Sequence, residues 1–280
     1  MTQVSIIIPC YNDGKYLREA VASAQAQTHP DVEIIVVDDH STEPLTHAAY
    51  KQLREQGVTV LPTPQGKKGL PAARNAGIAA AAGDYILPLD ADDKIAPSYV
   101  EKGVAVLEKQ AEVGICYCRA RLFGLKRNPW KLPPYSWEAM LSGNMIFATA
   151  LFRKADWRQV GGYDESLVHG LEDYAFWLRI IALGRDVVQI EEELFNYRIK
   201  TNSLLASIAA EEEGILAARD VFQSCEPIFR DNVRTLFFTI HKMKKEQNAL
   251  SSLVSWRLMQ PLFRLEWMLR QRIKKAIGRI

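Results

Sequence analysis

Four continuous apolar runs, at 4–9, 32–37, 58–61 and 85–89, punctuate the first third of the chain. Between them, apolar residues recur at helical spacing. Tyr16, Leu17, Ala20, Val21 and Ala24 mark one helix over 15–27, and 44–56 and the Ala-rich 70–82 read as two more. Short unbroken runs indicate strands buried on both faces, and their alternation with helices predicts an α/β, Rossmann-like, mostly parallel sheet flanked by helices. Ligands of such sheets bind beyond the carboxyl ends of the strands. Here those ends carry Cys10-Tyr11-Asn12, Asp38-Asp39 and Asp90-Ala91-Asp92-Asp93.

Further along, 97–109 reads as a helix, 113–118 as a strand and 119–135 as an aperiodic loop rich in Arg, Pro and Trp. A strand at 149–153 leads into a short helix from Lys154. Gly161-Gly162-Tyr163-Asp164 is a turn. Gly170-Leu171-Glu172-Asp173 enters a helix with Phe176, Trp177 and Ile180 on its apolar face. From about 204 the pattern is helical to the end, with breaks near Pro227 and Pro261. The expected organisation is a domain over 1–203, with halves at about 1–95 and 96–203, followed by a helical, basic, amphipathic extension over 204–280.

Composition changes this picture in two places. The chain of 280 residues has a formal net charge of only +2, but residues 241–280 hold ten Lys/Arg against two Asp/Glu. Within 253–280, Leu258, Leu262, Leu265, Leu269, Ile273 and Ile277 form a helical stripe with Trp256, Phe263 and Trp267 beside it. That composition suits a helix lying on an anionic membrane surface or packed on protein. No nucleic-acid motif accompanies the charge. The four cysteines, Cys10, Cys116, Cys118 and Cys225, read as buried reduced thiols. With no signal sequence and no spanning apolar run, the expected location is cytoplasmic, peripheral to the membrane if the tail binds it.

The candidate chemistry centres on Asp90, Asp92 and Asp93. Carboxylates crowded at a strand end repel, and a divalent cation or a polar ligand relieves that cost. The competing reading is a solvated loop capping the next helix. No Gly-x-Gly-x-x-Gly and no Gly-x-x-x-x-Gly-Lys-Ser/Thr loop is present, which excludes the commonest dinucleotide and phosphate loops. The five histidines show no ligand spacing, and His169 reads as a turn-surface residue.

The ordered pieces VSIIIPCYND, EIIVVDDHST, GLPAARNAGIAAAAGDYILPLDADD, GGYDESL and GLEDYAFWLRI resemble the family 2 inverting glycosyltransferases, of GT-A fold, over roughly 3–203. The resemblance implies a nucleotide-sugar donor, a UDP-sugar, and a cell-surface glycan or lipid-linked saccharide as acceptor. By position it implies a donor site of Pro9, Tyr11, Asn12, Asp39, Arg74, Asp90, Ala91 and Lys200, with Asp39 accepting from the uracil ring N–H. It implies Asp92 as the ligand of Mg2+ or Mn2+, Asp173 as catalytic base and Glu172 as its support or an acceptor residue. The chemistry needs both ends: a diphosphate leaves only when its charge is neutralised, and an acceptor hydroxyl must lose its proton as it attacks. Trp130, Tyr135 and Trp137 are candidates for acceptor contact.

One departure stands out. The family often carries a His after the Glu-Asp helix that can reach the metal, and this chain has Tyr197-Arg198-Ile199-Lys200. A protonated lysine cannot ligate a metal but can pair with a diphosphate. Two other classes fit the fold: a metal-dependent nucleotidyltransferase and a non-catalytic membrane-associated scaffold.

Overall fold

A computed structural model describes residues 2–167, 170–200 and 211–252. Among these, nine strands share one sheet. The first half alternates as the sequence pattern predicts: β1 (Val4–Cys10), α1 (Gly14–Gln25), β2 (Val32–Asp38), α2 (Pro44–Glu55), β3 (Thr59–Pro62), α3 (Leu70–Ala80) and β4 (Tyr85–Pro88). β1 lies between β2 and β4, all parallel, and every residue of β1 is buried. Burial on both faces is why its sequence is a solid run rather than an alternation.

α3 sits unusually close to the sheet. A Cβ added at Gly77 would fall 2.4 Å from Ile7 Cγ2 and 2.9 Å from Val37 Cγ2, so only glycine permits this approach. The close packing buries the helix face that carries Ala73 and Arg74.

The second half comprises β5 (Lys94–Ile95), α4 (Tyr99–Lys109), β6 (Val113–Gly124), β7 (Pro129–Trp130), α5 (Trp137–Met140), β8 (Leu151–Arg153), α6 (Lys154–Gln159), α7 (Glu172–Ala182) and β9 (Asp186–Ile199). The spatial order is β3-β2-β1-β4-β8-β6-β9-β5, with β7 on β6. The long ladder between β6 and β9 is parallel, whereas the short β5, β7 and β8 pair antiparallel.

Two expectations are corrected here. β6 continues through 119–124, within the stretch read as a loop, and β7 lies in that same stretch. The sequence pattern does not announce β9, because Glu191-Glu192-Glu193 interrupts its apolar residues. Those glutamates are exposed and face cations: Arg119 on Glu191, Lys102 on Glu192 and Arg121 on Glu193. The long ladder with β6 and the buried Leu194 and Phe195 beyond the glutamates hold this strand in place.

α8 (Glu211–Ser224) and α9 (Glu226–Asp231) belong to the same compact unit, which ends at Asp231. Ser224 Oγ donates to Asp164 Oδ2 at 2.6 Å, and Cys225 Sγ lies 3.6 Å from the Ala175 carbonyl on α7. Residues 232–280 form a second unit, of which α10 (Val233–Ser252) is described. The tail at 253–280, with its stripe and Pro261, and His169 lie outside the described residues. All four cysteines are free and buried. No helix among the described residues is long and apolar enough to cross a membrane.

Candidate active site

The carboxyl ends of β1, β2 and β4 open onto a cavity of about 480 Å3 lined by Pro9, Tyr11, Asp13, Asp39, Ala91, Asp92 and Lys200. A second cavity, of about 300 Å3, is lined by Arg74, Asn144, Glu172, Asp173 and the aromatic rings of Trp130, Phe147 and Phe195. Leu70, Asp90 and Tyr197 line both. The structure thus divides the predicted residues between two adjoining chambers that meet at Asp90.

In the first chamber the Asp38-Asp39 pair splits. Asp38 Oδ1 accepts from the Ser41 N–H at 2.8 Å and caps the turn. Asp39 reaches the cavity, its oxygens accepting from Thr63 Oγ1 at 3.0 Å and the Gly69 N–H at 2.8 Å. Both partners leave lone pairs for a further donor and hold the carboxylate rigid. Asn12 does not line the cavity. It adopts a left-handed φ of 54°, and its Oδ1 accepts from the N–H groups of Thr42 and Glu43 at 2.8 and 3.0 Å. It shapes the chamber wall by fixing the start of α2.

Each carboxylate of the 90–93 segment has its own cation or donor. Asp90 Oδ1 accepts from Arg74 Nη2 at 2.9 Å. Asp92 Oδ2 lies 2.9 Å from Lys200 Nζ, which also holds Asp13 Oδ1 at 3.0 Å. The buried Asp93 accepts the Arg198 N–H at 2.7 Å through Oδ1. The Arg198 side chain returns to the Asp92 carbonyl at 2.7 Å and stacks over Tyr16 and Phe123, clamping the end of β9 onto the segment. Burial pushes the Asp92 and Asp93 carboxyls up from their ordinary values, and neighbouring carboxylates add to this. Lys200 opposes the shift at Asp92, and the Arg198 N–H opposes it at Asp93.

A hard divalent ion needs several oxygen ligands that converge and are not already neutralised. Asp92 and Asp90 each carry a cation from the chain itself. Among the described residues, no three His, Cys, Asp or Glu side chains converge on a common point suited to a metal ion. As folded, Asp92, the ligand the resemblance implies for Mg2+ or Mn2+, is paired with Lys200 rather than left free for a metal.

In the second chamber, Gly170 at φ 94° and Leu171 at φ 63° turn the chain sharply into α7. A left-handed leucine costs on the order of 1 kcal/mol or more and is stored where the fold over-determines it. The turn aims Glu172 and Asp173 into the chamber. Glu172 is buried against Arg74, whose guanidinium is itself closed to solvent and lies 5.5 Å above the Tyr163 ring. Burial works against the charge on Arg74, but Asp90 and Glu172 outweigh it and hold the pKa above the usual arginine value. Asp173 accepts from the Tyr174 N–H at 2.7 Å and from Asn144 Nδ2 at 3.2 Å. Burial, then the neighbouring Glu172, raises the Asp173 carboxyl to about 7. A carboxyl tuned to neutrality in a cleft can take a proton from a bound hydroxyl.

Several contributors carry no mark in the sequence that singles them out. Asp13 follows a strand end and reads as one more loop acid. Asn144 lies in a stretch without periodicity. Tyr163 sits in a glycine turn that Asn75 of α3 pins, through its Nδ2 to the Tyr163 carbonyl and the Tyr163 N–H to its Oδ1, both at 2.8 Å. Phe176 and Trp177 are fully buried, as a core reading predicts, and Trp130 alone of the three loop aromatics lines the cavity.

The family model described as Glycosyl transferase family 2 matches residues 5–160. A chondroitin synthase of Escherichia coli is 30% identical over 185 residues, 65% of this chain and 27% of that protein. The chain spans between 19% and 36% of the length of several curated relatives it matches. Among solved structures, S. aureus TarS 1–349 in complex with UDP-GlcNAc superposes with a TM-score of 0.64 at 19% identity, over 81% of this chain and 65% of that one. The mannosyltransferase PcManGT of Pyrobaculum calidifontis, in complex with GDP-Man and Mn2+, gives 0.60 at 17% identity, over 93% of this chain and 83% of that one.

Proposed function

The chain belongs to glycosyl transferase family 2 and has its GT-A fold, and from that premise we propose that it moves a sugar from a UDP-sugar to a hydroxyl of a saccharide or lipid-linked saccharide, in one displacement that inverts the anomeric carbon. The observation that carries this reading is the pair of chambers meeting at Asp90, one lined by Asp39 and Asp92 and the other by Asp173.

The nucleoside lies against Pro9 and Tyr11, with its ring N–H on Asp39. The diphosphate lies toward Ala91 and Asp92, and the anomeric carbon faces the second chamber near Asp90. The acceptor enters beside Trp130, whose ring lines the second chamber. Asp173 takes the acceptor proton as the hydroxyl oxygen bonds to the anomeric carbon, and the bond from that carbon to the diphosphate oxygen breaks. One carboxylate suffices, so the configuration inverts. Glu172 is a positioning residue: it holds Arg74, which holds Asp90, and so couples the two chambers. Its negative charge also keeps Asp173 basic enough to work at neutral pH.

The polysaccharide product named for the Escherichia coli relative supports a saccharide acceptor, and the UDP-GlcNAc bound to TarS supports a uridine donor. An anionic membrane surface as a second partner rests on the sequence of 253–280 alone. The test is a panel of nucleotide sugars read by thermal shift and by released nucleotide. Release of UDP supports transfer. Release of pyrophosphate would instead identify a nucleotidyltransferase. A ligand at 100 times its Kd stabilises by about 2.7 kcal/mol, so the true donor stands out in the thermal shift.

A further inference from the structure

The donor chamber is acidic: Asp13, Asp39, Asp90 and Asp92 line it, and a nucleoside diphosphate brings more negative charge. Something cationic must meet that diphosphate. Arg74 lies behind Asp90 and lines only the other chamber. Among the described residues lining the donor chamber, Lys200 is the one cationic side chain.

Lys200 is also built to stay there. Its ammonium bridges Asp92 Oδ2 at 2.9 Å and Asp13 at 3.0 and 3.1 Å, drawing together the ends of β4, β1 and β9. The clamp made by Arg198, with its N–H on Asp93 and its side chain on the Asp92 carbonyl and Glu19, fixes the backbone two residues before it. The Lys200 side chain nevertheless keeps 24% of its surface open, and it lines the cavity. A divalent ion on Asp92 would have to displace this ammonium or sit beside it, and two cations on one carboxylate repel.

We infer that Lys200 takes the place of the divalent cation in this chain, so that the nucleoside diphosphate is bound by a fixed ammonium and needs no metal. The inference rests on the donor reading above. A divalent ion is the common solution to this charge problem because it bridges carboxylate and phosphate oxygens. Lys200 does the same: it is held by carboxylates on one side and offers an N–H to a phosphate oxygen on the other. The leaving diphosphate is neutralised by a group that cannot be lost to a chelator.

The experiment is calorimetric titration of the full chain with UDP, or with the nucleoside diphosphate that the donor panel selects, in EDTA and in excess Mn2+. For the wild type the two Kd values agree within about threefold. Lys200→Ala weakens binding in EDTA by about tenfold or more and regains affinity with Mn2+, since Asp92 and Asp13 are then free to ligate. Lys200→Arg keeps binding that EDTA does not alter. A wild-type Kd that rises by more than about threefold in EDTA overturns the inference, and this arm needs no variant to fold. A folded Lys200→Ala variant with unchanged Kd in EDTA also overturns it. No binding of any nucleoside diphosphate, with or without Mn2+, overturns the donor reading itself, and this inference with it.

Discussion

Arg74 donates to Glu172 across 98 residues of sequence, and both side chains are almost wholly closed to solvent. The same guanidinium holds Asp90, so one buried cation ties the end of β4 to the start of α7. Its position depends on α3, which the Gly77 approach presses onto the sheet.

Removing one member of such a pair leaves a buried charge alone and costs about 3–5 kcal/mol. In a unit of this size about 1 kcal/mol corresponds to roughly 2–4 °C in Tm. Arg74→Ala therefore lowers Tm by about 10 °C in calorimetry. Arg74→Lys does not recover it, because a point charge cannot serve two carboxylates through a fixed fork.

Asp173 gives a pH signature. Below about 7 its carboxyl carries a proton and cannot accept another. Plots of kcat/KM against pH therefore rise through an acid limb near neutrality. The Asn144 hydrogen bond favours the charged form. Asn144→Ala accordingly moves that limb to higher pH, while binding of the nucleotide stays as it was.

The same shift has a stability consequence of opposite benefit. The folded pKa of Asp173 lies above its unfolded value, so the unfolded state binds fewer protons between about pH 4 and 7 and stability falls as pH rises through that window. Asp173→Asn removes this cost. Its Tm exceeds that of the wild type above pH 7, and the gap closes toward pH 4.

Gly77→Ala tests the seat of α3. The new methyl meets Ile7 and Val37 within 3 Å, and overpacking of this kind costs about 1–3 kcal/mol. The midpoint of urea unfolding drops accordingly. Donor-dependent turnover drops as well, because Arg74 rides on the displaced helix.

Much of the donor half is legible in the sequence, because β1, β2 and β4 are buried on both faces and their ends carry the chemistry. β9 is not legible. Its glutamates are satisfied by Lys102, Arg119 and Arg121 from α4 and β6, partners that adjoin it only after folding. At the site, Asp39, Asp92 and Asp173 stand out as acids at strand and helix ends, and all three line the chambers. Asn12 also stands just past a strand end, yet it turns away to bind the 42–43 backbone. Asn144, Tyr163 and Asp13 contribute through tertiary contacts that no local pattern announces. Lys200 stands out in the sequence as a departure, but its bridge to Asp13 and Asp92 forms only once β9, paired with β6 and β5, brings its end onto the 90–93 segment.

The most direct test of the account compares released UDP for the wild type and Asp173→Asn with the donor that the panel selects and a saccharide acceptor, alongside UDP binding by calorimetry. Loss of a general base lowers kcat by about 10²–10⁴-fold. The account predicts a loss of that size in the folded variant with UDP affinity unchanged. Turnover equal to the wild type in a folded Asp173→Asn variant would contradict it.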